Sequence, residues 1–416
     1  MKATAASLEP LRRPGYRLLW LSSTVWWFAR WIDILITGWA TLQLTNSAWD
    51  VALIGFYRNI PVPLFGAFTG AIADRLDRRL LVIAAQTTNA LVGLTVGLLL
   101  FSGRLAFWHL AVANILLGLA YAIDFPSRRS IVPDLVGREF LVPAMVLESI
   151  CMNVSRVVGP LLAGAVLATL SLPSCFLLLA GTYAVGILPL LAMRLPFRGT
   201  AKAAPMRRFI AEGLSFCRKY EPVRGVLLIT LLMNCFAFPY QQLLSVFARD
   251  ILQVGPMGFG LLGAGDGIGS LLGATALMSS GRLRRQGWVF VLGSLGVCAA
   301  VIVFAFSPFY ALSVLALIAA GVGHSGFSTL QSTIILQIVG DAMRGRVMGI
   351  LTLAIGMATP GMLIMGSIAG ALGAPWAVGL STAAGGLLVA ATAAASPKLL
   401  ALGAKSERAP TAAPSP

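Results

Sequence analysis

Apolar runs about as long as a bilayer-crossing helix recur along nearly the whole chain, and this constrains the fold more than any other feature. A helix needs about 20 apolar residues to cross the hydrocarbon core. Between charges and turn residues, twelve such runs can be read: 18–42, 51–73, 80–101, 106–127, 141–169, 172–193, 225–248, 257–279, 288–307, 309–335, 347–372 and 375–395. Pro and Gly breaks alone separate the fifth from the sixth, the ninth from the tenth and the eleventh from the twelfth. The chain is 58% hydrophobic and 11% charged, whereas soluble domains are about 25% charged. The expected fold class is therefore an all-α polytopic membrane protein with twelve transmembrane helices.

The net charge of +16 could indicate a nucleic-acid surface, but its placement argues for topology. With the N-terminus inside, all but five of the 31 lysines and arginines fall on the inner side. Arg104 and Arg249 lie outside, and Arg30, Arg58 and Arg156 lie within spans. This asymmetry is the positive-inside pattern. It places both termini in the cytoplasm and excludes nucleic acid as a partner. HExxH, GxSxG and Walker A patterns are missing, and the five cysteines form no ligand cluster. Enzymatic activity, a metal site and a cofactor are therefore not expected. The N-terminal apolar run is too long and too charged for a signal peptide.

The chain repeats itself. DRLDRR at 74–79 has a worn copy, GRLRRQ, at 281–286, and GPLLAG at 159–164 has MGSIAG at 365–370. The two offsets are nearly equal and close to half the length, which suggests duplication. The expected organisation is a cytoplasmic tail 1–17, a six-helix bundle 18–193, a linker 194–224, a second six-helix bundle 225–395 and a disordered tail 396–416. Arg207 to Lys219 in the linker reads as an amphipathic helix on the inner leaflet.

The loop between the second and third spans packs both signs of charge into a few residues. There, Gly70, Asp74, Arg75, Arg78 and Arg79 match the pattern G-x-x-x-D-R-x-G-R-R/K, with Asp77 in the usual glycine position. In this respect the chain resembles the major facilitator superfamily. YRLLW at 16–20, DFPSRRSIVPDLV at 124–136, VFARDILQVGPMGFGLLGAG at 246–265 and RGRVMGI at 344–350 resemble its enterobactin-exporter and drug-efflux branch. The resemblance implies the major facilitator fold, two six-helix halves that rock between states, and transport coupled to protons. It also implies that Gly70, Asp74, Arg75, Arg78, Arg79 and Asp124 form a conformational latch, with Arg78 reaching Asp124.

Ionisable residues inside a membrane default to function or pairing. Arg30 and Asp33, one helical turn apart, can pair, with Trp26 on the same face and Thr37 one turn on. Glu148 and Arg156 precede Gly159 and Pro160, which resemble part of the superfamily's exporter signature and read as a bend and a close helix contact. Ser155 stands in place of the first glycine of that signature. Asp266 interrupts a glycine series, and Arg156 is expected to pair with it, or failing that with Asp33. Arg58 reads as a snorkelling cation and His324 as a hydrogen-bonded packing residue. Asp33, Glu148 and Asp266 are the proton-coupling candidates. Trp26, Arg30, Trp31, Asn234, Tyr240, Gln241 and Gln331 are the cavity candidates.

The expected function is proton-coupled efflux of an amphiphilic small molecule, a drug or a siderophore, by a monomer in the bacterial inner membrane. Metabolite uptake, and a receptor or scaffold without transport, remain the alternatives.

Overall fold

A computed structural model of the chain describes residues 8–65, 76–137, 139–193, 214–279 and 285–402. Every regular element is helical among these residues. Twelve helical segments occupy the twelve predicted runs: α1 Pro14–Thr45, α2 Ala48–Asn59, α3 Arg78–Phe101, α4 Phe107–Val136, α5 Leu141–Thr169, α6 Leu172–Ala192, α7 Glu221–Ile251, α8 Pro256–Ser279, α9 Gln286–Phe306, α10 Tyr310–Ile338, α11 Asp341–Leu372 and α12 Ala374–Ala394. The α11 helix is interrupted at Met357. Ten of the twelve are long and apolar enough to cross a membrane. The other two are α1, 32 residues long but charged and rich in tryptophan, and α2, 12 residues long and followed by a further helical stretch at 61–65, where the described residues of this span end.

Local chemistry sets the boundaries. Pro14, Pro173, Pro222 and Pro375 sit in first turns, where a missing N–H costs nothing. Ser47 caps α2 by accepting from the Asp50 amide at 3.2 Å. Asn46 ends α1 in the left-handed region, and the Arg249 guanidinium covers that end by donating to Leu42 O at 2.8 Å and Asn46 Oδ1 at 2.9 Å.

The chain forms two compact units: residues 1–202 with 244–264, and residues 203–243 with 265–416. In the first, α1 packs on α5 and α6, α3 on α4 and α6, and α2 on α4. In the second, α7 packs on α11 and α12, and α9 on α10 and α12. There α8 crosses α10 at Gly269 and Gly321. The five pairings of the first unit thus recur six helices later in the second.

Close crossings explain several glycines. A Cβ on Gly159 would stand 2.6 Å from Trp31 Cβ. Gly164 and Gly260 face each other so closely that a Cβ on either would stand 2.9 Å from the other's Cα. Gly159 thus stands where α5 crosses α1 closely, the kind of contact small residues permit.

Of the predicted amphipathic stretch, residues 214–219 are described and helical, with Leu214 exposed and Cys217 buried. Burial pushes the Cys217 thiol up to about 11, so it stays protonated at physiological pH. Residues 403–416 of the tail lie outside the described residues.

Candidate functional site

Three polar centres lie inside the first unit. The first joins α1, α2 and α6. Asp33 is 4% exposed and forms an ion pair with Arg58, 7% exposed. Thr37 Oγ1 donates to Asp33 at 2.9 Å, and the Tyr183 hydroxyl approaches the carboxylate at 3.5 Å. Asp33 therefore pairs with Arg58 and not with Arg30. Arg58 does not snorkel, because a buried carboxylate on the neighbouring helix offers it a better partner than the interface.

The second centre lies on α4. Asp124 is fully buried and holds Arg128 one turn later. Gln86 on α3 donates to Asp124 at 3.1 Å, and Arg128 donates to the Ser22 and Ser23 hydroxyls of α1 at 3.1 and 3.4 Å. This corrects the expected Arg78–Asp124 contact. Arg78 instead binds Ser130 O at 3.1 Å and Asp134 at 3.2 Å. Arg79 donates to the carbonyls of Leu190 and Leu191, both at 2.7 Å, at the C-terminal end of α6, where a cation is favoured. Asp77 caps α3 by accepting from the Arg79 amide at 2.9 Å, which gives this departure from the loop pattern a local role. Gly70, Asp74 and Arg75 lie outside the described residues.

Replacing Asp77 by glycine is expected to cost only a few tenths of a kcal/mol, since glycine is itself a tolerated cap. An unchanged apparent Tm and transport rate would agree with this. A loss as large as that of an alanine cap would not.

The third centre alternates cations with aromatic rings. The Arg30 guanidinium lies 3.7 Å from the Tyr121 ring, Arg128 lies 5.2 Å from Trp26, and Arg129 lies 4.6 Å from Phe125. Trp26 and Tyr121 stack at 5.9 Å, Tyr121 and Phe125 at 5.6 Å, and Trp26 meets Trp27 at 4.7 Å. Of these, Trp26, Trp27, Phe125, Arg128 and Arg129 border a narrow pocket. Glu148, Ser149 and Met152 of α5 close its far side. Glu148 Oε1 is buried with no hydrogen-bond partner.

The second unit holds one comparable centre, joining α7, α8 and α10. Asp266 lies 3.2 Å from His324 Nδ1 and accepts from Gln241 Nε2 at 3.3 Å. Phe238 stacks on the His324 ring at 4.7 Å. Both α7 residues sit in an irregular stretch. A wide turn at Met233–Ala237 leads into a tight one at Phe238–Leu243, where Pro239 removes an amide from the ladder.

The remaining predicted residues separate. Trp31 packs beneath Gly159, and its ring lies 5.9 Å from the Arg156 guanidinium. Asn234 donates to its own helix at Thr230 O, and Gln331 accepts from the Thr230 hydroxyl at 3.3 Å. Tyr240 is buried against Phe304. Sequence reading missed Arg128, Arg129, Tyr121, Phe125 and Gln86. The available signal was the i, i+3, i+4, i+7 spacing of Tyr121, Asp124, Phe125 and Arg128 across a helix that does not stop at Pro126. Among the described residues, no group of three or more His, Cys, Asp or Glu side chains is placed to hold a metal ion.

Comparison with known proteins agrees with this architecture. The chain is 25% identical to the staphyloferrin A transporter of Staphylococcus aureus (strain NCTC 8325 / PS 47), over 85% of its own length and 89% of the relative's. It is 26% identical to the multidrug efflux pump Tap of Mycolicibacterium fortuitum, over 82% and 86%. It is 28% identical to the enterobactin exporter EntS of Escherichia coli O1:K1 / APEC, over 74% of each chain. The fold matches that of a bacterial homologue of the human lysosomal transporter Spinster, with TM-score 0.74 over 97% of this chain and 99% of that one, at 16% identity. It also matches a POT family transporter, with TM-score 0.75 over 92% and 96%, at 11% identity. The profile of the transmembrane secretion effector family spans residues 5–416, and the chain belongs to this family of major facilitator transporters: a multi-pass membrane transport protein for small molecules, and not an enzyme.

Proposed function

We propose that this chain is a secondary active transporter that exports an amphiphilic small molecule, a siderophore or a drug, by alternating access coupled to inward proton flow. The observation that carries this reading is the Asp266–His324 pair. It is a titratable acid and base in contact on two helices of a membrane transporter, bound to a third helix through Gln241. Such groups are costly in a bilayer and are kept where they act. Of the three coupling candidates, Asp266 has the partner best able to change its own charge. Glu148 comes second, facing a pocket. Asp33, neutralised by Arg58, is the least suited to exchange a proton. The similarity to siderophore and drug exporters supports outward transport.

The recurrence of five helix pairings supports two equivalent halves, 18–193 and 225–395, each a duplicate of the other. The monomer sits in the bacterial inner membrane with both termini in the cytoplasm. The loop of Gly70, Asp74 and Arg75 acts as a conformational latch. Asp74→Asn is expected to slow turnover several-fold while substrate binding persists. Turnover at the wild-type rate would reduce the loop to a topology signal.

Transport direction tests export against uptake. Labelled substrate should accumulate in inside-out vesicles and not in right-side-out vesicles energised in the same way. The opposite pattern would make the protein an importer, and accumulation in neither would favour a receptor or scaffold.

A further inference from the structure

The pocket between α1, α4 and α5 carries chemistry that the proposal above does not use. Its aromatic faces are already occupied by internal cations. Arg128 lies over Trp26 and Arg129 over Phe125, while Arg30 lies over Tyr121 directly behind. A cationic ligand seeking a ring face would meet a guanidinium there. Arg30 and Arg129 form no ion pair within 4 Å among the described residues, whereas Arg128 is matched by Asp124. The cluster therefore holds three arginines against two carboxylates, Asp124 and Glu148. The fields of Arg128 and Arg129 both fall on Glu148. Its buried Oε1 has no hydrogen-bond partner, so a carboxylate stands inside the pocket with spare acceptor capacity and cations beside it.

We propose that this pocket binds an aromatic acid: a ring carrying a carboxylate or an equivalent anionic oxygen, seated against Trp26, Trp27 and Phe125 with its charge on Arg129 and Arg128. The ring would slide along aromatic edges while the anion meets forked donors. Glu148 stands where that anion would sit and is its competitor for the same arginines. The pocket is narrow, so a larger substrate would present this group as a single acidic arm. This inference rests on the transport reading and narrows the amphiphilic substrate to an anionic aromatic one.

The test uses the full chain in lipid nanodiscs and radiolabelled salicylate in equilibrium dialysis, with benzylamine and benzyl alcohol as cationic and neutral competitors. Benzoate should displace salicylate, and benzylamine should not. Arg129→Gln should weaken salicylate about tenfold, the loss of one charge-assisted contact. Arg129→Lys should recover part of that affinity, and Glu148→Gln should strengthen binding by removing the competitor. Arg129 is exposed, so its variants should melt at the wild-type temperature. If benzylamine bound in preference and Glu148→Gln abolished its binding, the pocket would be a cation site. If Arg129→Gln left salicylate affinity unchanged, the anion would bind elsewhere or not at all. Either result overturns the proposal. Transport in vesicles separates the two readings. Salicylate binding lost in Arg129→Gln, with no substrate moved in either vesicle type, would sink export and keep the pocket. Robust export unaffected by Arg129→Gln would do the reverse.

Discussion

Arg58→Ala should cost the first unit about 3–5 kcal/mol, because it leaves Asp33 charged, buried and without its counter-ion. Asp33→Ala should cost a similar amount by stranding the guanidinium. Thr37 and Tyr183 can still reach the lone carboxylate, but neutral hydroxyls do not replace a cation. The double variant Asp33→Asn, Arg58→Met removes both charges and should be closer to wild type than either single variant. In detergent the single variants should melt roughly 10 °C lower than wild type. If the double variant melted as low as the singles, the pair would contribute specific contacts beyond mutual neutralisation. If neither single variant moved the melting temperature, the ion pair would not hold α1 to α2 in the membrane.

Gly269→Ala should be nearly as damaging in the second unit. A Cβ there would fall inside the Ile318 carbonyl and 2.9 Å from Gly321 Cα, so α8 and α10 would have to separate. Backbone cannot yield as a flexible side chain can. Overpacking of this kind costs about 1–3 kcal/mol and sometimes more. The same separation would pull Asp266 from His324, now 3.2 Å apart. Transport should therefore fall with stability, and proton coupling should fall furthest. Gly296→Ala is the control. It lies in α9 with nothing within 4 Å of an added Cβ, and should be neutral or slightly stabilising. Equal losses at the two positions would show that helix contact at Gly269 is not what matters.

These two cases also show where sequence reasoning reaches and where it stops. The all-helical membrane fold was legible because it depends on run length and apolarity along one helix at a time. Partners across helices were not legible. Asp33 has Arg30 one turn away, and sequence proximity favours that pair, yet the neighbouring helix brings Arg58 to the carboxylate. At 124–136, Pro126 and two adjacent arginines look like a loop. The helix continues because Asp124 neutralises Arg128 within it, and because serines of α1 accept from the guanidinium. Once α4 is extended, Arg128 and Arg129 pass from topology signals to pocket walls. The Asp266–His324 contact was likewise hidden, since it depends on the close α8–α10 crossing that Gly269 and Gly321 permit.

The central claim, export driven by protons, is tested most directly in inside-out vesicles with an acidic lumen and labelled siderophore or drug outside. Accumulation should stop when nigericin collapses the pH gradient. Adding substrate should release lumenal protons in wild type, and this release should disappear in Asp266→Asn. Accumulation that persists without the gradient, or substrate-induced proton release that survives in Asp266→Asn, would contradict the account.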